Sequence, residues 1–444
     1  MFGFRKQAYI LLIIGLLATL GLNLSDWGSN ATYFNNMLTS DNYAVCFSAI
    51  LLSVSTLVLL LAPRFYDHIT ISRMDSYAMM MFALAGGLCM VSFGNLSMLF
   101  IGIELLSISS YVLAGSDKRN LLSNEAALKY FIMGSFASAF LLFGIALVYA
   151  VTGSFDLGVI GQYAAAHSGG SANALFYAGI VLLIVAMGFK VSAAPFHFWA
   201  PDVYDGAPTI VTLFMATVGK IAAFGAFLRL FSNAFLPLND DITLVLGLLA
   251  VLTMFVGNLS ALWQDSYKRM LAYSGVAHAG YLLLGILAGS KLADNAVLFY
   301  SAGYALSSVV AFGVLLLINY QTDSDSRSDL NGLASRNPLL ALAVAIAMLS
   351  LAGIPPTAGF FGKYYLFSMA INAGYTWVVA IAVINSIISV FYYFDIIIKM
   401  YVGSATTTQP ALNIPMPYRI ALGIAVLGIV ALGIYPGLLA GLLP

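Results

Sequence analysis

Charge is what this sequence has least of. Asp, Glu, Lys and Arg make up 8% of its 444 residues, against about 25% in an ordinary soluble domain. Eighteen acids and eighteen bases cancel to a net charge of zero, so no basic excess points to nucleic acid. Cysteine is almost missing. Cys46 and Cys89 stand alone in apolar runs, with no CxxC and no Cys/His cluster. That excludes the usual metal, haem and iron–sulfur signatures, and both read as small buried apolar residues. Long polar stretches are lacking too. The longest, 321–337 (QTDSDSRSDLNGLASRN), is too short to be a nucleotide- or flavin-binding module. No signal-peptide cleavage pattern is present; Arg5 and Lys6 precede an apolar run that continues as an ordinary span.

What remains is apolar: 61% of the residues are hydrophobic. A membrane-crossing helix takes about 20 apolar residues. About 13 such segments are expected, at 7–24, 42–62, 74–92, 95–114, 124–152, 172–199, 208–231, 241–263, 269–289, 293–320, 338–371, 374–402 and 418–442. The runs are continuous and lack period-2 alternation, so helices are preferred to a barrel. The expected class is an all-α polytopic membrane protein, one membrane domain over 1–444.

Lys and Arg in the loops set the expected orientation. Alternate loops carry Arg5 and Lys6, Arg64 and Arg73, Lys118 and Arg119, Lys268 and Arg269, Arg327 and Arg336, then Lys399 and Arg419. The opposite loops hold Asp26, Asp41, Asp156, Asp240 and Asp241, with Lys291 their one clear cation and Arg229 at a helix edge. The first set is assigned to the cytoplasm, with the N-terminus inside and the C-terminus outside. The acidic turn 200–207 falls on the cytoplasmic side by parity alone.

Prolines interrupt two spans, at Pro195 and at Pro355–Pro356. Broken spans in corresponding places of two halves suggest inverted repeats with a site at each break. The expected division is N-terminal helices 1–73, a first five-helix repeat 74–231, a second 241–402, and a C-terminal helix 418–444. The broken helix is the fourth of five in each repeat.

The few charges inside spans carry the chemistry. Only two glutamates exist, and Glu104 lies mid-span. Lys190, Lys220 and Lys363 lie in or beside the two interrupted regions. Each mid-membrane charge costs roughly 2.5–3.5 kcal/mol on insertion scales. Four together cost on the order of 10 kcal/mol, comparable to the stability of a whole domain. Pairing Glu104 with Lys190 would lessen that. Desolvation makes a lysine easier to deprotonate and a nearby carboxylate opposes this. A lysine whose carboxylate partner moves therefore loads and releases a proton. The alternative is a static ion pair fixing helix register.

His278 sits in the second span of the second repeat, as Glu104 does in the first, which favours a relay role. His197 either lines the first break or anchors at the interface. Lys129, about one turn into the fifth span, either snorkels to water or feeds protons in. His68 and His167 read as loop residues. Asp395 and Lys399, four apart, can pair on one helix face, Lys399 serving as an anchor; the aromatic FYYFD at 391–395 reads as packing.

The stretches LFIGIELLSISSYVLAG, GFKVSAAPFHFWAPDVYDGAPTIVTLFMATVGK, KRMLAYSGVAHAGYLLLG and LSLAGIPPTAGFFGKYYLF resemble the subunit N family of proton-pumping NADH:quinone oxidoreductase, respiratory complex I. The resemblance runs over nearly the whole chain, and the PDVYDGAP turn sets it apart from the sister antiporter-like subunits L and M. It implies two inverted five-helix repeats with broken helices and a pump subunit without cofactors. NADH, FMN, iron–sulfur clusters and quinone are expected in partner subunits. Other membrane subunits, including antiporter-like subunit M and small subunit K, are expected as partners in a bacterial inner membrane. By motif, Glu104 and Lys190 are the charge-modulating pair, Lys220 the connecting lysine, and Lys363 the lysine of the second half-channel. His278 lies between them. The family has 14 helices; one fewer here fits loss of the first family helix or a misassigned start. A multisubunit Na+/H+ antiporter subunit, the equivalent subunit of a ferredoxin-fed complex and a non-transporting scaffold stay open as rivals.

Overall fold

The computed structural model describes residues 2–65, 73–322, 324–403 and 411–443; His68 lies outside them. Helices α1 (Phe2–Ser25), α2 (Asn42–Phe65), α3 (Arg73–Ser92), α4 (Leu96–Ala114) and α5 (Leu121–Thr152) come first. The short α6 (Leu157–Ala166), α7 (Ala174–Lys190), α8 (Trp199–Gly206), α9 (Thr209–Phe214) and α10 (Lys220–Leu230) follow. Then come α11 (Asn239–Leu262), α12 (Tyr267–Ala288), α13 (Lys291–Thr322) and the four-residue α14 (Leu333–Arg336). The last are α15 (Pro338–Ala352), α16 (Ala358–Asn372), α17 (Thr376–Tyr401) and α18 (Met416–Ile434).

Among the described residues nine helical stretches are long and apolar enough to cross a membrane. One of them, Thr209–Leu262, is 54 residues long and contains two of the expected spans. Between these the chain bends through a π turn, Phe231–Phe235, and a 3-10 turn with Pro237, Leu236–Leu238, because proline cannot continue an α-helical ladder. α7 and α15 are shorter, the first halves of the two interrupted spans. In α12 and α13, 94% of the most apolar stretch is buried, against 28% in α5. Polar groups on α12 and α13 therefore face protein rather than lipid.

The first interruption is longer than the sequence suggests. α7 ends at Lys190, Ser192 takes a left-handed φ of 62°, and the Ala194–Pro195 bond is cis. The backbone donors freed here find partners, as a lipid environment demands. Ala194 N–H donates to Thr253 Oγ1 of α11 at 2.9 Å, and Trp199 Nε1 caps the Phe189 carbonyl at 3.0 Å. The acidic turn expected at 200–207 is replaced by helix α8, Trp199–Gly206. Pro201 and Asp202 sit in its first turn, where a missing N–H and a negative charge are both favourable. The second interruption runs from Gly353, φ 84°, across a cis Pro355–Pro356 bond to α16.

The chain is not wholly helical. Ala31–Tyr33 and Leu38–Ser40 form a two-stranded hairpin, turned by Phe34, Asn35 and Asn36, all with positive φ. Asparagine tolerates that region better than other side chains. Strands of three residues each were too short to stand out in the sequence. The hairpin leads into Asp41, which binds Arg229 at 2.9 Å. Arg229 lies in the last turn of α10, the helix edge expected for it. It is buried, and its Nε donates to the Phe93 carbonyl at 2.8 Å.

One pattern of hydrogen bonds occurs twice. Leu96 N–H donates to Phe155 O and Leu157 N–H to Gly94 O; Tyr267 N–H donates to Asp325 O and Arg327 N–H to Asp265 O. Each pair ties the start of one helix (α4, α12) to the chain leaving the next long one (α5, α13). Asn95 and Ser266 cap α4 and α12 at these points, satisfying otherwise orphaned N–H groups.

Candidate functional site

Glu104, Ser107 and Tyr111 lie three and four residues apart on α4, so they share one face. Ser107 Oγ accepts from the Lys190 ammonium at 2.7 Å. The half-buried Glu104 carboxylate accepts from Ser138 of α5. The expected direct Glu104–Lys190 ion pair is therefore not what the structure holds. No ion pair within 4 Å joins these two residues, and each charge rests on a serine. The reason is local: a hydroxyl from α5 and one from α4 lie closer to each charge than the charges lie to one another. Lys190 also ends α7, where the helix dipole favours a cation.

Lys220 follows a π turn, Met215–Gly219, and reaches α12. Its ammonium donates to the Gly275 carbonyl and lies 5.8 Å from the Tyr304 ring centre. His278, buried on α12, is held at both ring nitrogens. Nδ1 meets Tyr300 Oη at 2.5 Å and Nε2 meets Tyr393 Oη at 3.0 Å. Tyr393 also meets Ser274 Oγ at 2.5 Å. Beside it, Tyr392 donates to Asn258 at 2.9 Å, and Asn258 donates to Tyr281 at 3.3 Å and Asn385 at 3.2 Å. Lys363 lies 4.9 Å from the Tyr281 ring centre. It donates to Ser386 Oγ and to the Ala352 carbonyl that ends α15, both at 2.8 Å.

The protonatable and hydroxyl groups thus form a polar line in two parts: Glu104, Ser138, Ser107 and Lys190 in the first, and Lys220, Tyr304, His278, Tyr300, Tyr393 and Lys363 in the second. Lys190, Lys220, His278 and Lys363 are each at most 8% exposed. Buried polar groups without partners are costly, and these four and Glu104 each have one. Hydroxyl-bearing side chains can pass a proton on by accepting one and donating another. The sequence reading missed Ser107, Ser138, Tyr300 and Asn258, and it assigned the FYYFD tyrosines to packing. Tyr392 and Tyr393 pack, but their hydroxyls belong to the polar line. The only sequence signal for Ser107 was its spacing of three from Glu104.

His197 lies in the first interruption, buried, with Nδ1 lacking a hydrogen-bond partner. It lines the break rather than sitting exposed at an interface. His167 caps the end of α6, its ring stacked on Tyr163. Lys129 is part of an ion cluster. It pairs with Glu125 at 2.7 Å and Asp202 at 3.0 Å; Arg269 pairs with Asp202 at 3.0 Å and Asp205 at 3.5 Å. Lys268 caps the carbonyls of Asp205 and Ala207. Burial pushes the Asp202 carboxyl up, but Lys129 and Arg269 outweigh it and hold the carboxyl below its ordinary range. Asp205 is pushed up by burial. The cluster clamps α8 between α5 and α12. The expected Asp395–Lys399 pair is present at 2.6 Å, joined by Arg327 at 3.4 Å. Among the described residues no group of three or more His, Cys, Asp and Glu is placed to hold a metal ion.

Asp202→Asn is expected to weaken the clamp by about 1 kcal/mol, because its ions are partly exposed. Heating detergent-extracted complex and resolving it on native gels reads this as earlier loss of the intact assembly. An unchanged profile would show that the cluster adds nothing to stability.

Residues 94–389, which contain both interruptions and Glu104, Lys190, Lys220, His278 and Lys363, match the family described as NADH:quinone oxidoreductase/Mrp antiporter, TM. The chain belongs to this family. The NADH-quinone oxidoreductase subunit N of Cytophaga hutchinsonii is 42% identical over 439 residues, covering 98% of this chain and 94% of the relative. That of Flavobacterium psychrophilum is 41% identical over 443 residues, covering 100% and 96%. Among solved structures, a chain of respiratory complex I from Thermus thermophilus with bound aureothin is 34% identical, with a TM-score of 0.82, covering 98% of this chain and 93% of that one. A chain of the Mrp complex from Dietzia sp. DQ12-45-1b shares the fold, with a TM-score of 0.84 at 22% identity, covering 99% and 91%. This member of the family is thus a multi-pass bacterial membrane protein.

Proposed function

We propose that the chain is a proton-translocating membrane-arm subunit of an NADH:quinone oxidoreductase, and that Glu104, Lys190, Lys220, His278 and Lys363 carry the proton. The observation that carries this reading is that Lys190, Lys220, His278 and Lys363 are buried on hydroxyl or carbonyl partners near the two helix interruptions. Full-length identity near 40% to subunit N relatives supports the redox-coupled complex over an Mrp-type antiporter, to which the likeness is one of fold. NADH, FMN, iron–sulfur clusters and quinone belong to partner subunits in this reading, and subunits M and K are neighbours in the membrane arm. The cation-rich loops face the cytoplasm, with the N-terminus inside and the C-terminus outside. Lys129 and His197 stand beside the line as uptake or relay groups.

Quinone reduction elsewhere supplies the driving force. Moving one charge against 100 mV costs about 2.3 kcal/mol. The separated Glu104 and Lys190, each on its serine, represent the open arrangement. Approach of the two would hold the proton on Lys190; separation would release it toward Lys220. Pro195 and Pro355–Pro356 leave backbone carbonyls free to receive ammonium groups, as Ala352 does for Lys363.

The doubled cap pattern supports repeats at 74–231 and 241–402. With caps Asn95 and Ser266 superposed, Ser107 corresponds to His278, each twelve residues on, and Glu104 to Gly275, each nine on. The carbonyl of Gly275 receives Lys220 where the first repeat places a carboxylate.

The test uses inverted membrane vesicles from a strain lacking the chain, complemented with wild type or Lys363→Ala. Wild type is expected to restore NADH-driven acidification, and Lys363→Ala to lower it about tenfold, as loss of a proton-transfer group does. Full acidification by the Lys363→Ala vesicles would rule out its place in the path.

A further inference from the structure

Two cavities meet at Tyr111. The larger, about 700 Å³, lies between α3, α4 and α5 at the cation-rich end, walled by Asp75, Ser116, Asp117, Lys118 and Asn124. The smaller, about 10 Å³, is walled by Ser107, Ser138, Gly134 and Lys190. That is room for about one water, which needs two to four polar partners, and the three polar side chains of this wall supply them. Tyr111 lines both cavities. We propose that protons reach Lys190 from the cation-rich face through the larger cavity, with the Tyr111 ring as the gate between the two. This rests on the reading of Lys190 as a proton carrier given above, and it assigns an intake route separate from Lys129 and His197.

Three observations carry the proposal. The first is axial order. On α4, Tyr111 lies one turn nearer the cation-rich end than Ser107, and Ser107 one turn nearer than Glu104. On α5, Asn124, Gly134 and Ser138 run in the same sequence. Cavity, gate, water site and carboxylate are therefore stacked along one line. The second is how the gate is seated. Edge contacts with Tyr130, 4.7 Å between ring centres, and Phe131, 5.9 Å, hold the ring. Gly134 leaves room for its hydroxyl, where even a methyl group would overlap it. The ring thus closes the passage against a surface with no side chain to displace. The third is an unsatisfied donor. Ser116 Oγ is buried in the wall of the larger cavity without a hydrogen-bond partner, which marks a position for ordered water.

When the ring swings aside, water joins the two cavities. An incoming proton is then taken up by neutral Lys190, and the water that gave it is left neutral. Return of the ring prevents back-flow.

The test is made on the assembled complex in inverted vesicles. Ser116→Cys is treated with a charged, membrane-impermeant methanethiosulfonate, with wild type as the control for the two native cysteines. Labelling is expected to lower NADH-driven acidification about fivefold or more in Ser116→Cys alone, a loss of proton supply. Failure of Ser116→Cys to label, or stoichiometric labelling with unchanged acidification, would overturn the route. Tyr111→Ala is expected to keep NADH oxidation while fewer protons move per NADH, because the gate no longer closes; Tyr111→Phe keeps the ring and the wild-type ratio. A wild-type ratio in Tyr111→Ala would overturn the gate. Lys190→Ala vesicles run alongside separate the two claims. Normal pumping there removes the carrier reading itself. Lost pumping there, with Ser116→Cys indifferent to labelling, removes only this route.

Discussion

Lys190→Ala is expected to leave the complex assembled and to lower quinone reduction and proton pumping together, by about tenfold or more. The assembly half of this expectation comes from the geometry. Breaking a tight buried ion pair strands a charge and costs about 3–5 kcal/mol. Here Glu104 rests on Ser138 rather than on Lys190, and Ser107 keeps its bond to the Ile103 carbonyl at 2.5 Å. Removing the ammonium therefore strands no carboxylate. On the proposed reading, what is lost is the group that takes and gives the proton, held on Ser107 at the end of α7 where the interruption begins. Native gels, NADH:quinone reductase rates and vesicle acidification measured on the same membranes check it. Joint loss of both rates in an assembled complex places Lys190 in a coupled path. Unchanged rates would make the buried charges structural. A Glu104→Gln, Lys190→Met double variant sharpens the contrast, because a static register pair replaced by neutral groups would retain both activities.

Arg229→Ala is expected to prevent or strongly reduce incorporation of the chain, while Arg229→Lys retains part of it. Arg229 is 3% exposed and closes the end of α10 onto three groups on two segments: the Phe93 carbonyl, and Thr39 and Asp41 at the second strand of the hairpin. Its guanidinium fork matches the carboxylate with two bonds, at 3.0 and 2.9 Å, which a lysine cannot reproduce. Alanine would leave the Phe93 carbonyl without this donor and remove the guanidinium that lies over the Tyr43 ring, 5.4 Å from its centre. The combined cost is about 3 kcal/mol, discounted at the carboxylate because Asp41 is partly exposed. Abundance of the chain in membranes by immunoblot, against wild type, reads the outcome. Wild-type abundance of Arg229→Ala would show that the hairpin holds without it.

These two residues show how differently legible the molecule was. Lys190 announces itself in sequence, since an isolated lysine in an apolar run is expensive anywhere in a bilayer. Arg229 does not, because a cation near a helix end has a cheap alternative in reaching water. Its burial depends on a hairpin nearly two hundred residues earlier. Ser107 and Ser138 were invisible for a related reason. Serines in membrane helices satisfy themselves on their own backbone, as Ser110 does on Leu106, so composition cannot tell which of them faces a charge.

The sequence by itself determined the class, nearly all the long helices, the two proline interruptions and the four charges inside the spans, Glu104, Lys190, Lys220 and Lys363. Apolar length, proline geometry and desolvation cost are local quantities, read one segment at a time. Only the tertiary structure decided which groups touch. It put Glu104 and Lys190 on separate serines, turned Tyr392 and Tyr393 toward Asn258 and His278, and folded 199–206 into α8 under an ion clamp. Most of these helices are apolar all round, so no amphipathic stripe fixes their facing. Rotation and depth are set by packing against neighbours far away in sequence, and the partners of each buried polar group follow from that.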